Sequence, residues 1–414
     1  MRIELVANFL SFALVAGSWL ALLFLIAKFY SPDVLGTFNL VFAFYIFLSQ
    51  IAGAGIHFSV LRYAAEHRES STVVGRIARA AIAASLLNAT IWVVLFLLLI
   101  PLLLPYFSAF DLKEGLLWIT GAVFLCGLNK ILLGVLNARE EFVVYAIMNS
   151  ARAVMLVSLT LGFALAGVDG HALPLVISLS EAGLLGLLVA RLRTVLLASD
   201  AGDFRQWFQK HFAFGYKSVF GAVFIDVNTR VDILVLGLFT SSVALGTYSF
   251  AAVLAEGFGQ LAVVFRTILN PKLTDAYFNK TPADVQRVAI RFRNMSYLVL
   301  VPTGLAVIVL YLPVMNALGL GAEYVDGFAV FSVLMVGSLI GIGYAPMLMI
   351  FSQVGMPTTQ SQVYIFAFVS NLVLNLILIP QFGILGSAIG TALSGIITAA
   401  VLKFVARSRI GIKI

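Results

Sequence analysis

The sequence predicts an all-α polytopic membrane protein, with about twelve transmembrane helices in two six-helix lobes. Three observations carry that expectation. Hydrophobic residues make up 61% of 414 positions and charged residues only 11%, with a mean hydropathy of +1.05, whereas soluble domains carry about 25% charged residues. Apolar stretches long enough to cross a bilayer recur along the whole chain. Basic residues collect in alternate gaps between them.

A span requires about 20 apolar residues, because each helical residue rises about 1.5 Å through a hydrocarbon core about 30 Å thick. That ruler places helices at 5–27, 36–58, 77–104, 114–136, 142–166, 171–192, 212–238, 243–268, 290–312, 325–350, 360–380 and 384–405. Backbone amides in lipid must be satisfied within the segment or in a closed barrel. Uninterrupted apolar runs do not fit the alternation of barrel strands. The start of the first span, after Arg2, resembles a signal peptide; it lacks a small-residue cleavage site and is read as a retained helix.

Lys and Arg set the expected orientation. Arg62, Arg68, Arg76, Arg139, Arg191, Arg193, Arg205, Lys210, Lys272, Lys280, Arg287, Arg291, Arg407, Arg409 and Lys413 fall in alternate gaps and the C-terminal tail. The opposite gaps hold little beyond Lys28 and Lys113. Both termini are therefore expected in the cytoplasm. The net charge of +7 reflects this asymmetry, and no soluble basic domain exists to bind nucleic acid.

The chemistry-bearing motifs of enzymes are missing. The single cysteine, Cys126, excludes an internal disulfide, and His57, His67, His171 and His211 have no metal-ligand spacing. The sequence has no HExxH, GxSxG or phosphate-binding glycine loop. Its loops are too short for an ATPase domain. No catalytic residue, metal site or cofactor is assigned, and the expectation is a protein that is not an enzyme.

An internal repeat divides the chain. Ser31-Pro32-Asp33-Val34-Leu35-Gly36-Thr37-Phe38 precedes or opens the second span, and Ser241-Ser242-Val243-Ala244-Leu245-Gly246-Thr247-Tyr248 the eighth. Six spans per half make both halves start on the same side, as in a parallel repeat. The expected units are an N-terminal lobe over 1–192, a cytoplasmic or interfacial linker over 193–211 and a C-terminal lobe over 212–414. Within the linker, Phe204, Trp207, Phe208 and Phe212 interleave with Arg205, Gln206, Lys210 and His211, and aromatics four and eight beyond Phe204 suit a short helix lying at the interface, with a loose linker as the alternative. Gly337, Gly341 and Gly343 before Pro346, and Pro302, suit either close packing or flexing points.

Ionisable groups inside spans are costly and generally face a cavity or a partner. The seventh span is the richest, with Lys217, Asp226, Asn228, Arg230 and Asp232. Asp226 and Arg230 are four apart, which puts them on one face one turn apart and permits an ion pair. Glu256 and Arg266 follow in the eighth span; Glu4, Asn8, Lys28, His57, Arg62, Lys130, Arg152 and Glu181 are the first-half candidates. One reading is a cationic cavity between lobes that holds a phosphate or pyrophosphate, by Arg as a planar fork and Lys as a point charge. Its contacts are Arg230 foremost, then Lys217, Asp226, Asn228, Arg62, Lys130 and Arg152. Asp226, Asp232 and Glu256 are the candidates for sodium or proton coupling. The alternative is a set of structural pairs and snorkelling ends, with Arg62, Lys130 and Arg266 as anchors.

The order of several short pieces resembles the polysaccharide biosynthesis flippases. They are the two Leu-Gly-Thr-aromatic openings, Val231-Asp232-Ile233-Leu234-Val235-Leu236-Gly237, Leu320-Gly321-Ala322-Glu323-Tyr324 and Gly355-Met356-Pro357. Asn375, Pro380, Gly383-Ile384-Leu385-Gly386-Ser387-Ala388 and Ser394 complete the resemblance. That family belongs with the multidrug and toxin extruders and the lipid II flippases. The resemblance implies two six-helix bundles working by alternating access in the cytoplasmic membrane. It implies a substrate of oligosaccharide on polyprenyl phosphate or pyrophosphate, moved to the outer leaflet for envelope polysaccharide synthesis. Membrane lipids and glycan polymerases are the implied partners. Twelve spans rather than fourteen favour a general envelope-sugar flippase over the lipid II enzyme. The rival readings are a cation-coupled multidrug antiporter and a non-transporting scaffold for glycan export or polymerisation.

Overall fold

The computed structural model describes residues 2–198, 202, 204–279 and 281–414, with the side chains of 2, 3, 5 and 216–226 outside the described set. Expectations that rest on Lys280, on parts of the 193–211 linker and on the side chains of Lys217 and Asp226 therefore lie outside the described residues. Among the described residues there are helices and short 3-10 turns, with no strand.

In chain order the helices are α1 (Arg2–Phe29), α2 (Pro32–Gly53), α3 (Ile56–Glu66), α4 (Ser71–Leu103), α5 (Lys113–Ala138), α6 (Phe142–Leu165) and α7 (Leu175–Leu197). They continue as α8 (Phe204–Asn228), α9 (Val231–Phe239), α10 (Ser242–Asn279), α11 (Pro282–Leu318) and α12 (Ala322–Asp326). The last three are α13 (Phe328–Gly341), α14 (Ile350–Gln353) and α15 (Pro357–Arg409). Among the described residues, ten helical stretches are long and apolar enough to cross a membrane. One of these, α15, is two spans joined where Gly383 leaves helical geometry at φ 56, ψ −133. With the broken α8–α9 segment, they make up the twelve spans of a polytopic all-α membrane protein.

The described chain forms two compact units, Met1–Val227 and Asn228–Ile414. The two repeat openings fold alike. Ser31 caps α2, its side chain accepting from the Val34 amide, and Ser241 Oγ accepts from the Ala244 amide at the start of α10. Each serine satisfies one of the amides that a helix N-terminus leaves unpaired.

Three expected spans are interrupted. The 36–58 span ends at Gly53, and Ala54 (φ 44) and Gly55 (φ 65) take left-handed conformations before α3 begins. Asn88 Nδ2 braces the break, donating to Ile51 O at 3.0 Å and Ala52 O at 2.7 Å. The 212–238 span breaks between Asn228 and Val231, with Arg230 at φ −133. The 325–350 span ends in helix at Gly341 and passes through a turn at Ala345–Met347. Hydropathy averages over such breaks, so all three read as continuous from sequence.

The interfacial-helix expectation also changes. Phe204 to Phe212 form the opening turns of the long α8, and its inner face is Trp207 and His211, with only Phe208 of the phenylalanine stripe packed against the core. Trp207 packs edge-on to Tyr63 with ring centroids 5.4 Å apart. His211 is fully buried, with Nε2 3.1 Å from Ile77 O and Nδ1 against Ser59 Oγ. Phe204 and Phe212 remain exposed. Four-residue spacing applies equally to both stripes, and burial of the indole and imidazole decides which one faces in.

Small residues set the helix contacts, as expected where lipid offers no hydrophobic drive to association. Ser11 Oγ of α1 donates to Ala146 O of α6 at 2.8 Å. A Cβ on Gly337 of α13 would lie 2.3 Å from the Ala392 Cβ of α15. Outward faces carry large apolar residues such as Leu98, Leu102, Leu298 and Val309, the composition a lipid-facing surface requires.

Candidate functional site

The first unit contains a cavity of about 210 Å³ inside its helical bundle. Residues from α1, α2, α5, α6 and α7 line it, including Trp19, Tyr45, Gln50, Lys130, Arg152 and Glu181. At its polar wall stands Glu181, whose side chain is only 3% exposed. Such a carboxylate is tolerated away from water only when donors surround it. Tyr45 Oη donates to Oε1 at 2.9 Å and Asn129 Nδ2 to Oε2 at 2.6 Å. Asn129 Nδ2 also reaches the Glu181 carbonyl at 2.9 Å. The third donor, Arg152 NH1, stands at 3.4 Å.

Arg152 comes from the middle of α6 and is 39% exposed. Lys130, on α5, donates from Nζ to the Gln50 Oε1 amide oxygen at 3.2 Å. No carboxylate pairs with Lys130 among the described residues. The cavity therefore presents two basic side chains against one acid. The remaining walls combine apolar side chains, among them Val15, Phe42, Ile46, Leu156 and Ile177, with the hydroxyls of Ser18, Ser49 and Ser180.

The second unit groups polar residues with the opposite balance. Arg230, 15% exposed, forms a two-pronged pair with Glu256 of α10, NH1–Oε1 at 3.2 Å and NH2–Oε2 at 3.3 Å. Asp232 is buried; Tyr248 Oη donates to its Oδ2 and the Ile233 amide to its Oδ1 at 2.9 Å. Asn371 Nδ2 lies 3.4 Å from both the carbonyl and Oδ1 of Asn228. Asn375 Nδ2 donates to Asn371 Oδ1 at 2.8 Å, and Ser387 Oγ to Asn375 Oδ1 at 2.8 Å. Among the described side chains, this cluster has one base and two acids.

The sequence-derived candidates thus separate. Arg152 and Lys130 share the cavity of the first unit, and Arg230, Asp232, Asn228 and Glu256 share the polar cluster of the second. Arg62 lies on α3, 62% exposed and paired with Glu66 one turn on, and does not line the cavity. Sequence reasoning noticed Glu181 as an ionisable residue in a span but did not join it to Arg152. Tyr45, Asn129 and Gln50 were missed altogether. Their one advance signal is polarity inside otherwise apolar spans, and that signal does not say which helices meet.

Long apolar helices packed around a charged cavity define a multi-pass membrane protein. The model of the family described as polysaccharide biosynthesis protein matches residues 5–278, and the chain belongs to that family. None of the curated proteins matches it in sequence. Among solved structures, it is similar to the lipid II flippase MurJ in an inward closed conformation, with a TM-score of 0.76 at 17% identity. That alignment covers 98% of this chain and 88% of the other. A multidrug resistance MATE family transporter of the MOP superfamily in its inward-facing conformation aligns with a TM-score of 0.74 at 14% identity, covering 99% and 98%. A MOP superfamily transporter from Pyrococcus furiosus, described as having a binding pocket of reverse polarity, aligns with a TM-score of 0.57 at 13% identity, covering 98% and 94%. These likenesses concern the fold.

Proposed function

We propose that this protein is an alternating-access flippase that moves a polyprenyl-phosphate- or pyrophosphate-linked oligosaccharide across the cytoplasmic membrane for envelope polysaccharide synthesis. The observation that carries the reading is the cavity of the first unit, where Arg152 and Lys130 face a single carboxylate, Glu181. Two bases against one acid favour an anion over a drug cation. The family membership and the MurJ-like fold support the same substrate class.

Charge balance divides the labour between clusters. Arg152 and Lys130 hold the headgroup phosphate. Arg230 already faces the Glu256 carboxylate and serves the second unit, where Asp232 and Glu256 outnumber it and suit a coupling sodium ion or proton. A cavity of about 210 Å³ is smaller than the ~300–1,000 Å³ of ordinary small-molecule pockets, so it takes the phosphates and not the glycan. The apolar walls accept the first isoprenyl carbons. The basic gaps support a topology with both termini in the cytoplasm, and glycan polymerases are the expected partners.

Binding selectivity in nanodiscs tests this reading against drug transport. Equilibrium dialysis with radiolabelled farnesyl pyrophosphate should show saturable binding that inorganic pyrophosphate competes away and ethidium does not. Ethidium binding that farnesyl pyrophosphate fails to displace would overturn the proposal in favour of a drug transporter.

A further inference from the structure

The three donors to Glu181 are unequal, and the inequality says which member of its ion pair is fixed. Tyr45 at 2.9 Å and Asn129 at 2.6 Å hold both carboxylate oxygens with neutral groups. Arg152 adds the longest contact, 3.4 Å, through one nitrogen only. A guanidinium gripping a carboxylate normally uses two parallel bonds at about 2.7–2.9 Å. Glu181 therefore keeps a donor on each oxygen when Arg152 leaves. The arginine is tethered and 39% exposed, while the carboxylate is anchored and 3% exposed.

We infer that Glu181 is a built-in competing anion, which holds Arg152 when the cavity is empty and reclaims it to expel the substrate phosphate. The inference rests on the headgroup reading of the cavity given above. A phosphate entering beside Lys130 draws Arg152 away from a carboxylate that keeps a neutral donor on each oxygen. When the lipid must leave, the same carboxylate stands ready as the replacement partner. Without it, two bases in a confined cavity would retain a pyrophosphate too tightly for turnover. Lys130 has no such competitor, since Gln50 offers only an amide oxygen. It supplies the attraction that fills the site, and the Arg152–Glu181 couple sets the release.

Two substitutions separate this role from a structural one because they shift affinity in opposite directions. In Glu181→Gln the competing charge is gone. The new amide is satisfied in place, its oxygen accepting from Asn129 Nδ2 and its NH2 donating to the Tyr45 hydroxyl oxygen. In Tyr45→Phe the carboxylate loses a neutral donor and must lean on Arg152. Farnesyl pyrophosphate binding to the full chain in nanodiscs should tighten by at least about fivefold in Glu181→Gln and weaken by about fivefold in Tyr45→Phe, as expected for exchanging one charge-assisted contact. Leaflet transfer by Glu181→Gln should slow, limited by release. A packing defect would weaken binding in both variants, and thermal unfolding of each reports such a defect directly. Wild-type binding with Glu181→Gln equal or weaker overturns the inference and leaves the headgroup reading standing. Absence of binding in wild type and Glu181→Gln alike overturns the headgroup reading itself.

Discussion

Replacing Lys130 by glutamine removes one charge from the cavity with the least disturbance to the fold. Lys130 is half-buried and bonded to the neutral Gln50 Oε1 at 3.2 Å, so its loss strands no carboxylate, and a glutamine amide can still reach toward Gln50. The equivalent change at Arg152 would take a donor from a buried acid. Hydrogen bonds to charged groups contribute about 1.5–3 kcal/mol, and the partial exposure of the cavity argues for the lower end through solvent screening. About 1.5 kcal/mol is roughly a tenfold loss of affinity. Farnesyl pyrophosphate should therefore bind Lys130→Gln about tenfold more weakly, and with a shallower dependence on salt. Equilibrium dialysis at low and moderate ionic strength measures both, with thermal unfolding as the folding control. Unchanged affinity in a folded variant would refute the assignment of Lys130 to the anion.

Four further outcomes follow from other parts of the molecule. Gly337→Ala should destabilise the second unit by about 1–3 kcal/mol through overpacking, because its Cβ would meet Ala392 at 2.3 Å, whereas Gly341→Ala, with its nearest neighbour at 3.8 Å, should be tolerated; thermal unfolding compares them. His211→Ala should cost about 2–4 kcal/mol, since it empties a fully buried site and removes bonds to Ile77 and Ser59, read as a lowered Tm. Asp232→Asn should abolish any dependence of transfer on a sodium or proton gradient while downhill transfer persists, measured in proteoliposomes with imposed gradients. Glu69→Cys should react with a membrane-impermeant thiol reagent only from the cytoplasmic side, because Glu69 is 94% exposed in a basic gap and the native Cys126 is buried.

The course of the chain through lipid was legible because hydropathy sums over twenty residues at a time. The repeat was legible too, since Ser31 and Ser241 cap equivalent helices with the same serine geometry. What escaped were features fixed by single residues. Ala54 and Gly55 end a span in the left-handed region without altering its mean apolarity. Within α8, Trp207 and the phenylalanine stripe have the same helical period, so only tertiary burial could rank them. The site was half legible: Arg152, Lys130, Arg230, Asp232 and Glu256 stand out as charges in apolar runs. Their grouping was not legible, because Glu181 meets Tyr45, Asn129 and Arg152 from three other helices at separations of 136, 52 and 29 residues. The expected prominence of Arg230 came from its crowded local sequence, and the Glu256 carboxylate facing it lies 26 residues away on the next helix but one.

Transfer of a short-glycan polyprenyl pyrophosphate between leaflets of proteoliposomes tests the central claim most directly. Wild-type protein should move the lipid to the opposite leaflet, and the double variant Lys130→Gln/Arg152→Gln, folded and incorporated equally, should lose most of that transfer. Equal transfer by both proteins would contradict the assignment of the headgroup to this cavity. No transfer by wild-type protein, with or without imposed ion gradients, would contradict the flippase account itself.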